Sequence, residues 1–187
     1  MLELKVTPQE YVEKLSTNKH MMLVYDDEKY GKEVQLLFIK KGLEKGECCI
    51  YLVHHEERFT ISEMTSYGID AEEQIKKGTL HIIDTDNFTD RMQGMAELQK
   101  MCSAGPQVRI VGRWIPCIDT VEGISSELDA EKELHKSFHN FPGSVLCTYP
   151  VDKICKKDQA QRTIELMNAH QTVILLTEYG KGTIHEF

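Results

Sequence analysis

The sequence predicts an α/β fold: a three-layer arrangement with a mainly parallel sheet, helices on both faces and a C-terminal hairpin. Three observations predict it. Strand and helix signals alternate along all 187 residues. The clearest strand runs, CCIYLV (48–53) and SVLCTY (144–149), lack apolar–polar alternation, so both of their faces must be covered. The last two extended runs, TVILLTEYG and KGTIHEF, hinge near Gly180 to Gly182, which suits a hairpin.

Each element has a local reason. Thr7-Pro8-Gln9-Glu10 reads as a helix start, with a hydroxyl cap, proline at the first position and Glu10 closing a capping box. HMMLVY (20–25) is a short apolar run bounded by charge, hence a buried strand. From about Glu28 to Lys45, Val34, Leu37, Phe38 and Leu43 recur at near-helical spacing, and Gly46 supplies the stop. CCIYLV follows. Two short helical stretches flank the Tyr67-Gly68 turn, and Gly78 ends the second before the strand TLHIID (79–84). A helix is expected from about Asp90 to Cys102, then a Gly105-Pro106 break and the strand VRIVGRW (108–114). A charged helix from about Ser125 to His139 precedes Pro142-Gly143 and SVLCTY, and a last helix covers about Asp152 to His170. No repeat or Pro/Gly/Ser linker interrupts the pattern, so residues 1–187 read as one domain.

Composition narrows the function classes. A formal net charge of −8 disfavours direct nucleic-acid binding and anionic membrane surfaces, because phosphates are repelled. No apolar run approaches the roughly 20 residues of a membrane span, and MLELKVTPQEYVEKL lacks the basic start and apolar core of a signal peptide. A cytoplasmic location is expected. Six cysteines form no C-x-x-C pair, and Cys48, Cys49 and Cys147 lie in apolar runs where a reduced thiol packs as a small hydrophobe. No metal or cofactor is expected.

In open parallel sheets, ligands bind beyond the carboxyl ends of the strands. Five segments meet that description: Tyr25 to Lys32, His54 to Arg58, Asp84 to Phe88, Arg113 to Cys117 and Thr148 to Asp152. The first is the most informative. A nucleotide-binding loop there reads G-x-x-x-x-G-K and then serine or threonine, its backbone N–H groups wrapping phosphate and its hydroxyl holding Mg²⁺. Here Gly31-Lys32 is present, but Asp26 takes the first glycine position and Glu33 the hydroxyl position. Asp26, Asp27 and Glu28 stand where triphosphate would lie, so like charges oppose it.

From His20 to about Asp86 the chain resembles the RecA-like ATPases of the KaiC type. It has a phosphate-loop strand and helix, then FIKKGLEKGECCIYL, HHEE, YGID and KKGTLHIID. In that family paired glutamates after the second strand supply the catalytic carboxylate, and Glu56 and Glu57 occupy that place. The family's second metal-binding motif is an apolar run ending in aspartate; Gly112 and Arg113 stand there instead.

The pattern is also similar to the MEDS domain, the methanogen/methylotroph sensory domain regarded as a degenerate relative of KaiC. That resemblance rests on His20-Met21-Met22-Leu23-Val24-Tyr25, on Phe38 through Glu47, and on Leu146-Cys147-Thr148-Tyr149, and it covers most of 17–155. Met22 stands where cysteine is common, which works against thiol-pair chemistry with Cys147.

The resemblance implies a non-catalytic sensory, ligand-binding role, with Tyr25, Lys32, Glu56, Glu57, Arg113, Trp114, Cys147, Tyr149 and His20 as ligand-binding candidates. Each has a structural alternative. His20 opens its strand, away from the crevice. Glu56 and Glu57 form a solvated pair or inherited ligand contacts. Arg113 and Trp114 either stack on an organic anion or pack under a loop. Cys147 fills core while Tyr149 reaches the pocket. His54, His55 and Glu57 suggest a metal site, but adjacent strand residues point to opposite faces. Glu127, Glu131, Lys132 and Lys136 read as a solvated helix face. Expected partners are a small organic molecule or anion, a separate regulatory protein in place of a fused effector, and further copies of the chain. The alternative is a residual nucleotide-binding protein or ATPase using Lys32 with Glu56 or Glu57.

Overall fold

A computed structural model describes residues 2–16, 18–54, 57–87, 98, 100–101, 107–112, 117–156 and 158–187. Its strands are β1 (Leu2–Leu4), β2 (His20–Tyr25), β3 (Cys48–Val53), β4 (Leu80–Asp84), β5 (Val108–Gly112), β6 (Gly143–Pro150), β7 (Thr172–Leu176) and β8 (Gly182–Glu186). They form one sheet in the order β1-β8-β7-β2-β6-β5-β3-β4. Contacts from β7 through β2, β6, β5 and β3 to β4 are parallel, while β8 pairs antiparallel with both β7 and β1. The parallel body and the closing hairpin match the sequence reading. The short edge strand β1 was not legible in it.

The helices are α1 (Pro8–Glu13), α2 (Glu28–Glu44), α3 (Glu57–Ser66), α4 (Ala71–Lys76), α5 (Val121–Ser137), α6 (Val151–Ile154) and α7 (Ala160–Asn168). The capping box before α1 is formed: Glu10 N donates to Thr7 Oγ1, and Thr7 N donates back to Glu10 Oε2. Gly46, just past the end of α2, has φ 75°, the left-handed conformation that glycine adopts without a Cβ penalty.

Two cores lie on opposite faces of the sheet. Met21, Leu23, Tyr25, Cys49, Tyr51 and Leu146 pack with α1 to α4 on one side. Met22, Val24, Ile50, Val145, Cys147 and Tyr149 pack with α5 and α7 on the other. The two-residue period of a strand decides which side chain goes where, and both sides are apolar, as unalternated strands require.

Three expectations are corrected. The C-terminal helix is two helices, α6 and α7; Thr163 Oγ1 reaches back across the break to the Ile154 carbonyl at 2.6 Å. Helix α5 begins at Val121 rather than Ser125, because Thr120 is its cap, accepting from Gly123 N at 2.9 Å. Glu127 and Glu131 are not solvated: both are buried, while Lys132 and Lys136 on the same helix face outward. Most of the helix expected over 90–102 lies outside the described residues.

Candidate functional site

The carboxyl ends of β2, β3, β5 and β6 enclose a crevice of about 260 Å³. Its walls include Tyr25, Lys32, Gln35, Tyr51, His54 and Thr148. Strand β2 stops at Tyr25 and α2 starts at Glu28, so only Asp26 and Asp27 join them. Gly31 and Lys32 therefore lie inside the first turns of a helix, not on a loop that wraps a ligand.

Two of the backbone donors at this turn are already used. Asp27 caps α2 by accepting from Tyr30 N at 3.0 Å, and Gly31 N donates to the Asp27 carbonyl at 2.9 Å. The ring of Tyr25 lies directly against Gly31, where a Cβ would stand 2.5 Å from Tyr25 Cγ. Lys32 is engaged as well: its Nζ is 3.1 Å from Glu63 and 5.5 Å from the Tyr51 ring centre. Tyr51 in turn donates to Gln35 Oε1 at 2.5 Å. Gly112, where the resemblance leads one to look for a metal-binding aspartate, has φ 130°, and a Cβ there would meet Leu52. Backbone geometry requires a glycine at that point.

The sequence-predicted site residues fall into three groups. Tyr25 and Lys32 line the crevice. Glu56, Arg113 and Trp114 lie outside the described residues, as does His55; Glu57 opens α3, with its side chain outside them too. His54, the described member of the suggested metal trio, approaches Thr85 Oγ1 at 2.7 Å through Nδ1. His20, Cys147 and Tyr149 are on the other face of the sheet, beneath α5, and do not touch the crevice.

That second location is a buried polar cluster which the sequence reading only half assembled. Strand parity puts His20 on the α5 face with Met22, and the β2–β6 register sets Cys147 opposite Met22. His170, just before β7, reaches the same spot from the neighbouring strand. His20 and His170 are fully buried, with ring centres 4.2 Å apart. From α5, Glu131 Oε2 accepts from His20 Nε2 at 2.8 Å and lies 3.5 Å from His170 Nε2. Cys147 Sγ is 3.6 Å from His20 Nε2. The Tyr149 hydroxyl lies 3.0 Å from Glu127 and 2.8 Å from Glu131, so one phenolic proton serves two carboxylates.

The electrostatics follow from burial. Burial pushes the Glu131 carboxyl up, but His170, the His20 hydrogen bond and Tyr149 together outweigh it and hold it at about 2. Burial draws His170 down to about 4, against the opposing pull of Glu131. At neutral pH His170 is thus uncharged, and the hydrogen bonds from His20 and Tyr149 favour the Glu131 carboxylate whatever the charge on His170. Burial, then the two glutamates, raise the Cys147 thiol well above its ordinary value, which opposes its ionisation.

Glu127, Glu131 and His170 were missed as site residues. The signal for the glutamates was present: they sit at i and i+4 on the same stripe as the apolar Ile124 and Leu128, where carboxylates do not belong without partners.

Among solved structures, a KaiC-like protein from the hyperthermophilic archaeon Pyrococcus horikoshii OT3 matches 84% of this chain and 70% of its own length, with a TM-score of 0.63 and 23% identity. That likeness establishes the KaiC/RecA-like three-layer fold. No curated protein matches the sequence. The model of the methanogen/methylotroph, DcmR sensory domain matches residues 19–171, which takes in the crevice and the buried cluster alike. The chain belongs to the MEDS family of sensory domains.

Proposed function

We propose that this chain is a non-catalytic sensory module that takes a small organic molecule or anion into the crevice over Tyr25, Lys32 and Tyr51, and passes the signal to a separate protein. One observation carries this reading: a ready-capped helix replaces the phosphate cradle. Polyphosphate binding needs several free backbone N–H groups converging on one point. Here Asp27 and the ring of Tyr25 occupy that point, Lys32 is paired with Glu63, and the chain bears net negative charge. The crevice is small beside the roughly 300–1,000 Å³ of sites for drug-sized ligands, which favours a compact occupant. Among the described residues no helix is long and apolar enough to cross a membrane.

Isothermal titration with Mg-ATP tests the reading. The expected result is no saturable heat. Saturable micromolar binding that disappears in Lys32→Ala would overturn it and favour a residual nucleotide-binding protein.

A further inference from the structure

We propose that His20, Glu131, Cys147 and His170 form a buried site for one divalent transition metal, with zinc the best match to the donors. The proposal is independent of what the crevice binds.

Geometry carries it. One donor atom from each of the four residues lies within 4.8 Å of every other. A tetrahedral zinc site has donor–donor separations of about 3.3–3.8 Å, given metal–ligand bonds near 2.0–2.3 Å. Two of the pairs already have such spacing: His20 Nε2 to Cys147 Sγ at 3.6 Å and His170 Nε2 to Glu131 Oε2 at 3.5 Å. The His20–Glu131 contact, at 2.8 Å, has only to open by about half an ångström to match.

His170 is the residue that asks for a cation. Its Nδ1 donates to the Leu166 carbonyl at 2.7 Å, so in the neutral imidazole the lone pair is on Nε2. That Nε2 is buried without a hydrogen-bond partner and looks at a carboxylate oxygen, lone pair against lone pair. The same outer hydrogen bond, from imidazole to backbone carbonyl, orients histidine ligands at metal centres. A cation between Nε2 and Oε2 turns this repulsion into two bonds.

Charge and softness agree. Two imidazoles, one thiol and one carboxylate suit a borderline-soft ion and not Ca²⁺ or Mg²⁺, which take oxygen ligands. On binding, Cys147 loses its thiol proton to solvent and the His20 proton moves from Nε2 to Nδ1. The dication with one thiolate and one carboxylate is then neutral, which suits a dry interior. The Tyr149 hydroxyl stays on Glu131 Oε1, leaving Oε2 for the metal.

The test begins with the full chain purified without chelator and dialysed, then assayed by elemental analysis. About one zinc per chain is expected. The chain is next unfolded in chelator and refolded with Co²⁺, in a Cys102→Ser/Cys117→Ser/Cys155→Ser background that removes Cys102 and the thiols exposed among the described residues. The expected spectrum shows tetrahedral d–d absorption and a thiolate-to-cobalt charge-transfer band. Cys147→Ser abolishes the charge-transfer band, and His170→Gln lowers metal retention at least tenfold. Absence of bound metal in both the purified and the refolded protein overturns the proposal. So does an octahedral spectrum without the thiolate band, or retention unchanged in both variants. If either variant fails to fold, the cobalt spectrum of the parent decides alone.

Discussion

The ring of Tyr25 lies on the backbone of Gly31, close enough that a Cβ at position 31 would come within 2.5 Å of Cγ and 2.6 Å of Cδ2. A glycine that would serve a phosphate in a nucleotide-binding relative here serves an aromatic ring of its own chain. In an unobstructed helix, Gly→Ala stabilises by roughly 0.5–1 kcal/mol. Gly31→Ala is expected to do the reverse, destabilising by about 1–3 kcal/mol, as overpacking does in a filled core. Urea denaturation reads this directly. In a Tyr25→Ala background the clash is gone, and Gly31→Ala should become neutral or stabilising. Destabilisation that persists there would mean the ring is not the cause.

The Tyr149 hydroxyl holds two buried glutamates, Glu127 and Glu131, with a single proton. Tyr149→Phe removes that donor without changing shape much and leaves carboxylate oxygens in the interior with one partner fewer. A loss of about 1–3 kcal/mol is expected from the urea midpoint. Glu127→Gln, which removes one of the two buried charges that compete for this proton, should soften the effect of Tyr149→Phe. Strict additivity in the double-mutant cycle would show that the three groups are not coupled.

What the sequence disclosed and what it hid have physical reasons. Strands such as CCIYLV and SVLCTY are fully buried and declare themselves by composition, so the sheet was legible. The β2–α2 junction was legible too, because Asp26 and Glu33 at phosphate-loop positions are chemically wrong for nucleotide. The buried cluster was harder. Strand register and helix packing bring His20, Glu131, Cys147 and His170 together from across 151 positions, and no local pattern encodes that meeting. Charge misled the reading of α5: Glu127, Glu131, Lys132 and Lys136 give the helix the charge density of a solvated face, yet the glutamates face inward and find Tyr149 and His20. The break between α6 and α7 went unseen because 155–159 contains neither glycine nor proline.

The stretch Phe38 to Glu47 was recognisable as a motif, and the structure explains three of its members, Phe38, Gly42 and Glu47. Arg109 on β5 is buried; its Nε donates to Glu47 Oε2, and its Nη1 donates to the Phe38 carbonyl at 3.0 Å. The guanidinium also lies over the Phe38 ring at 4.7 Å, and a Cβ at Gly42 would strike the Arg109 side chain. The motif is a receptacle for one arginine. Glu47→Ala should cost about 3–5 kcal/mol, since it strips the charge partner from a buried cation. Arg109→Met combined with Glu47→Gln should lie much closer to the parent. Equal losses in the single and double variants would show that packing, not the ion pair, dominates.

Thiol chemistry separates the surface from the interior. Cys117 and Cys155 are exposed, whereas Cys48, Cys49 and Cys147 are buried. Burial raises the Cys49 thiol far above its ordinary value, only partly opposed by Arg109, and burial with the neighbouring glutamates does the same at Cys147. Reaction needs both access and thiolate, so each buried thiol is doubly protected. Partial burial also raises Cys155, which should slow its reaction without preventing it. In a Cys102→Ser background, a disulfide reagent at pH 8 is expected to modify two thiols in the native protein, Cys117 and Cys155, and the remaining three only on unfolding. Mass mapping of the modified peptides checks their identity. Early modification of Cys147 would mean that the region beneath α5 opens to solvent far more readily than its packing allows.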